Sequence, residues 1–275
     1  MQAILLNVLF KILRILTMMA VVFYLIVCLY LFFTQERIIF YPTVIAHDFA
    51  YPFTRPYTEE FLPVAGATLA LVHFTQPNPR GVVLYLHGNA DTLRNSDTFA
   101  ERFIRCGYDV ILFDYRGYGK STGSISNEAD LHRDAQAVYD YVRQSYDEDQ
   151  IIIYGHSLGS GFAVPLAATN SPRMLILESP YVSMEDLAAK RMPYIPLFLL
   201  KYPLRSDQWI GKVRCPIYLF HGSNDGLIPY NSSERLQAYS NAPTQLIRID
   251  GGGHANLVSF AVYRTALDRI LLATW

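Results

Sequence analysis

Residues 151–161 read IIIYGHSLGSG. Ile151 to Tyr154 are bulky, Gly155 follows, and Ser157 then stands two positions from both Gly155 and Gly159. An unbroken apolar run of this length suits a strand covered on both faces. The next stretch, SGFAVPLAA at 160–168, can be helical. The chain is therefore expected to pass from a buried strand straight into a helix, with one hydroxyl at the apex. Such a turn strains the backbone, and the two glycines remove Cβ atoms that would meet the neighbouring strand and helix. The hydroxyl is expected to project into solvent at the sheet's carboxyl edge, beside the free N–H groups and positive end of the helix. Taken alone, G-x-S-x-G also fits an ordinary glycine-rich β–α turn.

The surroundings narrow the choice. GVVLYLHG (81–88), YDVILFDYRG (108–117), RMLILESP (173–180), CPIYLFHG (215–222) and TQLIRIDGGG (244–253) are short apolar runs ending near Gly, Asp or Ser. Helical patterns separate them. Leu131, Ala135, Val138 and Val142 form one stripe, with Asn127 as its expected cap. Phe99 and Phe103 form a shorter stripe that stops at Gly107. Upstream, EEFLPV (59–64) and ATLALVHF (67–74) suit a leading antiparallel pair. Residues 181–213 carry Pro193, Pro196 and Pro203 without a strand pattern, and are expected to form a short cap between two sheet strands. Strand–helix alternation gives the fold class α/β, a mostly parallel, doubly wound sheet.

The N-terminus differs in kind. Between Arg14 and Glu36 lies the uncharged stretch ILTMMAVVFYLIVCLYLFFTQ, 15–35. About 20 such residues match the hydrocarbon thickness of a bilayer. The expectation is a single membrane-spanning helix over about 15–35 within a segment 1–36, followed by a catalytic domain over 37–275. The apolar core is too long for a cleaved signal peptide. Lys11 and Arg14 precede the span, so the positive-inside rule puts the N-terminus in the cytoplasm and the main domain on the opposite side. Charged residues make up only 17% of the chain, against the usual share of about 25%, as an appended apolar segment requires. The net charge of −1 carries no basic footprint for nucleic acid. The three cysteines show neither CxxC nor dense spacing, so neither a disulfide framework nor a zinc site is indicated.

An alcohol is a poor nucleophile near neutral pH and needs a base that is itself held by an acid. HGSNDGLIP at 221–229 places Asp225 just past a strand end, and GGGH at 251–254 places His254 in a loop after the last expected strand. The expected set is Ser157 as nucleophile, His254 as base and Asp225 as its orienting acid. Asp225 could instead cap the helix after it, and Asp250 and Glu178 are rival acids. His87 and His221 are expected to form structural hydrogen bonds, and His156 to pack or shape the turn. Two backbone donors should stabilise the tetrahedral intermediate: the N–H of Leu158, and that of Asn89 in the turn after VVLYLHG.

In its His87-Gly88-Asn89, FDYRGYGKS (113–121), GHSLG (155–159), HGSNDGLIP and GGGH segments, the chain resembles the α/β-hydrolase superfamily of serine hydrolases. Together with QERIIFYP (35–42) and the short cap, it resembles membrane-anchored members with little lid. That resemblance implies hydrolysis of an ester or thioester, with a lipid-like acyl substrate and no cofactor. It also implies that Asp114 and Arg116 are scaffolding for a loop near the site. An aminopeptidase-like amide hydrolase, for which Glu185 and Asp186 could receive a free amino terminus, and a non-catalytic membrane-tethered scaffold are the alternatives. The cap stretch YIPLFLLKYP (194–203) could accept an acyl chain, lean on the bilayer or simply pack on the domain. Gly119-Lys120-Ser121 is not a P-loop, because Asp114 stands where that motif needs glycine. No H-E-x-x-H or EF-hand pattern occurs, so no metal is implied. Asn231-Ser232-Ser233 matches the glycosylation sequon, which matters only in a eukaryotic secretory compartment.

Overall fold

The computed structural model describes residues 2–273. Its helices are α1 (Gln2–Ile39), α2 (Ser96–Ile104), α3 (Glu128–Val142), α4 (Ser160–Thr169), α5 (Met184–Arg191), α6 (Ser206–Trp209), α7 (Asn231–Tyr239) and α8 (Ala261–Leu272). Its strands are β1 (Thr58–Val64), β2 (Ala67–Phe74), β3 (Val82–Leu86), β4 (Asp109–Phe113), β5 (Ile151–His156), β6 (Met174–Glu178), β7 (Ile217–Gly222) and β8 (Thr244–Ile249). All eight join one sheet in the order β1-β2-β4-β3-β5-β6-β7-β8. β1 and β2 pair antiparallel, as do β2 and β4, and every other pairing is parallel.

The central strands are buried on both faces, which is why their sequences run apolar without alternation. Successive residues still part company. Val82, Leu84, Ile151 and Ile153 join one core with Leu131 of α3 and Phe162 of α4. Val83, Tyr85, Ile152 and Tyr154 join the other, with Phe103 of α2 and Leu267 of α8. Leu131, Ala135, Val138 and Val142 are buried, and the Asn127 side chain accepts from the Asp130 N–H. Gly107 follows α2 at φ +84°, a conformation glycine adopts without strain.

Topology places the site. From β3 the chain crosses to β4 on one side, then returns to β5 on the other. The strand order reverses at β3, and a crevice opens beyond the carboxyl ends of β3 and β5. The loop carrying Asn89 and the turn carrying Ser157 leave from those two strands.

One expectation changes. α1 extends well beyond 15–35, because no Gly or Pro interrupts the chain before Pro42. It stops at Ile39, with Tyr41 in the left-handed region at φ 40°. The stretch Ile4–Ile39 is long and apolar enough to cross a membrane, with a mean hydropathy of 2.6 over its most apolar window, of which 6% is buried. The segment 181–213 lies between β6 and β7 and contains α5, α6 and two short 3-10 turns.

Candidate active site

β5 ends at His156, and a 3-10 turn over Ser157–Gly159 leads into α4. Ser157 sits at φ 49°, in the left-handed region that L-residues seldom occupy. The turn is held by close approaches that only glycine permits. A Cβ on Gly159 would lie 2.1 Å from the Leu86 carbonyl oxygen, and one on Gly155 would lie 2.6 Å from the Ala163 Cβ.

Ser157 Oγ lies 2.8 Å from His254 Nε2, and His254 Nδ1 lies 2.8 Å from Asp225 Oδ2. With the Asp225 carboxylate accepting from Nδ1–H, Nε2 is left to accept from the serine hydroxyl. The rims of β5, β7 and β8 are thus brought to one point. The close approach of two loops makes this possible: a Cβ on Gly222 would meet the Gly252 carbonyl oxygen at 2.2 Å. The His254 carbonyl accepts from Ser179 Oγ at 3.1 Å, which fixes its loop against the end of β6.

Asp225 performs two tasks rather than one. Its Oδ1 accepts from the N–H groups of Leu227 and Ile228, both at 2.8 Å, as a turn cap does. Its Oδ2 faces His254 and also lies 3.3 Å from His221 Nε2. Burial pushes this carboxyl up, but hydrogen bonds from His221, His254 and the Ile228 N–H prevail and hold it well below the usual carboxylate range. The sequence assigns His221 only structural hydrogen bonds; the signal for its contact with Asp225 is the i, i+4 spacing of His and Asp across a strand end. His221 is otherwise bonded to Ser233 Oγ and the Ile228 carbonyl. The rival acids are engaged elsewhere. Asp250 is exposed and pairs with Arg248 at 2.6 Å. Glu178 is buried with Arg102, Tyr154 and Tyr263.

His156 faces away from solvent, its ring centroid 5.9 Å from that of His254 and its Nδ1 3.7 Å from Asp91 Oδ2. Burial works against its charged form, yet the nearby carboxylates of Asp91 and Glu178 raise its pKa above the ordinary imidazole value. His87 makes the expected structural bond, 2.8 Å from Nδ1 to the Gly88 carbonyl. Asp114 Oδ1 accepts from the Leu93 N–H, and burial pushes its carboxyl up to about 7. Arg116 forks onto Asp134 with two bonds of 2.7 Å and reaches the Ala65 carbonyl, so it ties its loop to α3 and to the β1–β2 turn.

Ser157 is only 7% exposed, so the hydroxyl does not project into open solvent as expected. The cap and the end of α1 cover it, and it opens instead into an apolar cavity of about 440 Å³. Asn89 and Leu158 line that cavity beside it. Met184, Leu187, Met192 and Leu197 of the cap supply part of its apolar wall. Glu185 and Asp186 are not among the lining residues. Glu185 pairs with Arg205, and Asp186 with Lys190 and Arg235. Among the described residues, no group of three or more His, Cys, Asp or Glu is placed to hold a metal ion.

The family described as serine aminopeptidase, S33, matches residues 77–207. An uncharacterized protein of Mycobacterium tuberculosis is 34% identical over 199 residues, 70% of each chain. The lysophosphatidylserine lipase ABHD12 of Xenopus tropicalis is 32% identical over 190 residues, 61% of this chain and 48% of that one. The chain thus matches about half the length of the ABHD12 lipase. An esterase of Pyrococcus furiosus superposes with a TM-score of 0.70 at 18% identity, over 84% of this chain and 95% of its own. Est1E from Butyrivibrio proteoclasticus, with ferulic acid bound, gives 0.65 at 20% identity, over 78% and 98%. At such identities the two structures show the fold alone. The sequence relatives place the chain in the α/β-hydrolase superfamily of serine hydrolases.

Proposed function

We propose that the chain is a single-pass, membrane-anchored hydrolase that cleaves the carboxylic ester or thioester of a single-chain, lipid-like acyl substrate. The observation that carries this reading is the Ser157–His254–Asp225 chain of hydrogen bonds at the end of an apolar cavity. Its volume of about 440 Å³ suits one acyl chain. The ABHD12 relatives are lysophosphatidylserine lipases, whose named substrate also carries one chain.

In the proposed reaction Ser157 Oγ attacks the acyl carbonyl while His254 Nε2 takes its proton. The imidazolium so formed is stabilised by Asp225. The oxyanion is received by the main-chain N–H groups of Leu158 and Asn89. Collapse breaks the bond to the leaving group, which departs with the proton from His254. Water then attacks the acyl-enzyme, with His254 as base, and frees the acid and the serine.

Amide hydrolysis is less well supported. The acidic side chains that could bind a free amino terminus, Glu185 and Asp186, are paired with basic residues outside the cavity lining. A non-catalytic scaffold would have no use for a serine, an imidazole and a carboxylate in mutual bonding reach. The Lys11 and Arg14 bias supports an orientation with the N-terminus in the cytoplasm and the hydrolase domain, from about residue 37, on the other side. Protease protection in sealed membranes tests this orientation.

The activity test is labelling with a fluorophosphonate. Wild-type protein should be labelled, and Ser157→Ala should lose both the label and hydrolysis of p-nitrophenyl esters. Equal labelling of the two would sink the proposal.

A further inference from the structure

α1 changes character over its last turns. From Ile4 to Ile26 it is largely apolar and exposed on all sides, as a simple tether would be. Leu31, Phe32, Gln35, Ile38 and Ile39 then line the cavity that holds Ser157. Their spacing of i, i+1, i+4, i+7 and i+8 is one face of a helix. Phe33, on another face, is 70% exposed.

The polar groups here are arranged for docking. Gln35 is only 7% exposed, and a buried amide is costly unless its bonds are made. Its Nε2 donates to the Leu199 carbonyl at 3.1 Å, and its Oε1 accepts from the Lys201 N–H at 2.8 Å. Glu36 accepts from Lys201 Nζ at 2.9 Å and from the Tyr202 hydroxyl at 3.0 Å. Further toward the N-terminus, about 16 Å along the helix from Gln35, the Tyr24 hydroxyl donates to the Tyr194 carbonyl at 2.8 Å. The Tyr194 and Phe198 side chains are each 85% exposed, so this part of the cap presents apolar surface to its surroundings.

We infer that α1 is a working wall of the acyl site, so that the anchor itself sets which chain lengths the enzyme accepts. The inference rests on the proposed ester hydrolysis. The acyl chain lies between the Leu31–Ile39 face of α1 and the cap, with its carbonyl at Ser157. Leu31 and Ile38 are specificity-determining residues that lie far from the hydrolase motifs in sequence.

The test uses the full-length protein in detergent and compares kcat/KM for p-nitrophenyl laurate with that for p-nitrophenyl butyrate. Each methylene kept out of an apolar site costs about fourfold, so filling the wall should lower the laurate-to-butyrate ratio by roughly tenfold. This drop is expected in Leu31→Trp and in Ile38→Trp, and not in Phe33→Trp, which enlarges the opposite face. Fluorophosphonate labelling of Ser157 in each variant identifies those with a folded site. An unchanged ratio in labelled Leu31→Trp and Ile38→Trp overturns the inference and leaves ester hydrolysis standing. An equal drop in Phe33→Trp also overturns it. Failure of the wild-type protein to hydrolyse either ester in a Ser157-dependent way removes both readings.

Discussion

The side-chain amide of Asn89 donates to the carbonyl of Ile39 across 2.6 Å. The last carbonyls of a helix lack partners within it, and here the loop after β3 supplies one. The Asn89 Oδ1 in turn accepts from the Tyr118 hydroxyl at 3.1 Å and from the Ala90 N–H at 2.9 Å. The amide is therefore fixed in orientation, and the loop assigned to the oxyanion is tied to the end of α1.

Asn89→Ala keeps the main-chain donor but cuts this tie. Misplacing a catalytic loop by about an ångström costs up to roughly a hundredfold. We expect kcat to fall between about ten- and a hundredfold, with KM for a short ester little changed. Steady-state kinetics on p-nitrophenyl butyrate reads the split, and an unaltered kcat would show that the side chain is idle.

Asp225→Asn should lower kcat by about four orders of magnitude, because the amide favours the wrong imidazole tautomer. It should also alter acid stability. The Asp225 carboxyl titrates below its unfolded value, so its contribution is complete above about pH 4 and is lost as pH falls through the lowered value. Below about pH 4 the melting temperature of the variant should therefore decline less steeply than that of wild type.

The His156–Asp91 pair has the opposite sign. A raised imidazole pKa gives stability that is complete below about pH 6.5 and is lost as pH rises through the raised value. Asp91 joins the loop after β3 to the residue beside Ser157. Melting curves above about pH 6.5 should fall for wild type and stay flatter for Asp91→Asn. Parallel curves would show that His156 is neutral.

Two glycines near the site should respond differently to alanine. In Gly159→Ala the new methyl meets the Leu86 carbonyl oxygen, a backbone atom of a central strand that has no room to withdraw. Destabilisation of about 3 kcal/mol or more is expected. Gly226 has nothing within 4 Å of the position a Cβ would take, and Gly226→Ala should stay within about 0.5 kcal/mol of wild type. Thermal denaturation of the two variants checks the contrast.

Much of this was legible because the central strands are covered on both sides. Continuous apolar runs then mark each strand and end where the rim loops begin. The stripe from Leu131 to Val142 marked α3 for a similar reason, since only one face of that helix meets the sheet. Ser157, Asp225 and His254 could be named from their chain order and loop positions, but their bonding distances depend on loop approaches such as that of Gly222 to Gly252.

What sequence could not supply came from partners distant along the chain. Gln35 and Glu36 resemble the polar edge of a membrane span, and only their bonds to Leu199, Lys201 and Tyr202 reveal a docked surface. The same docking buries Ser157, whose motif alone suggests an open turn. Sequence position alone leaves Asp225 open to either role, cap or catalytic acid. Its two oxygens divide the tasks between them, an outcome that composition and spacing do not distinguish.

The narrow passage between the Ser157 turn and β3 has an evolutionary corollary. Gly155 and Gly159 answer to the walls around them, and neither touches the chemistry. A descendant that abandoned hydrolysis would retain both for as long as it retained this architecture. The pentapeptide is thus a hallmark of carpentry, and living enzymes are told from relics by whether the distant imidazole and carboxylate survive.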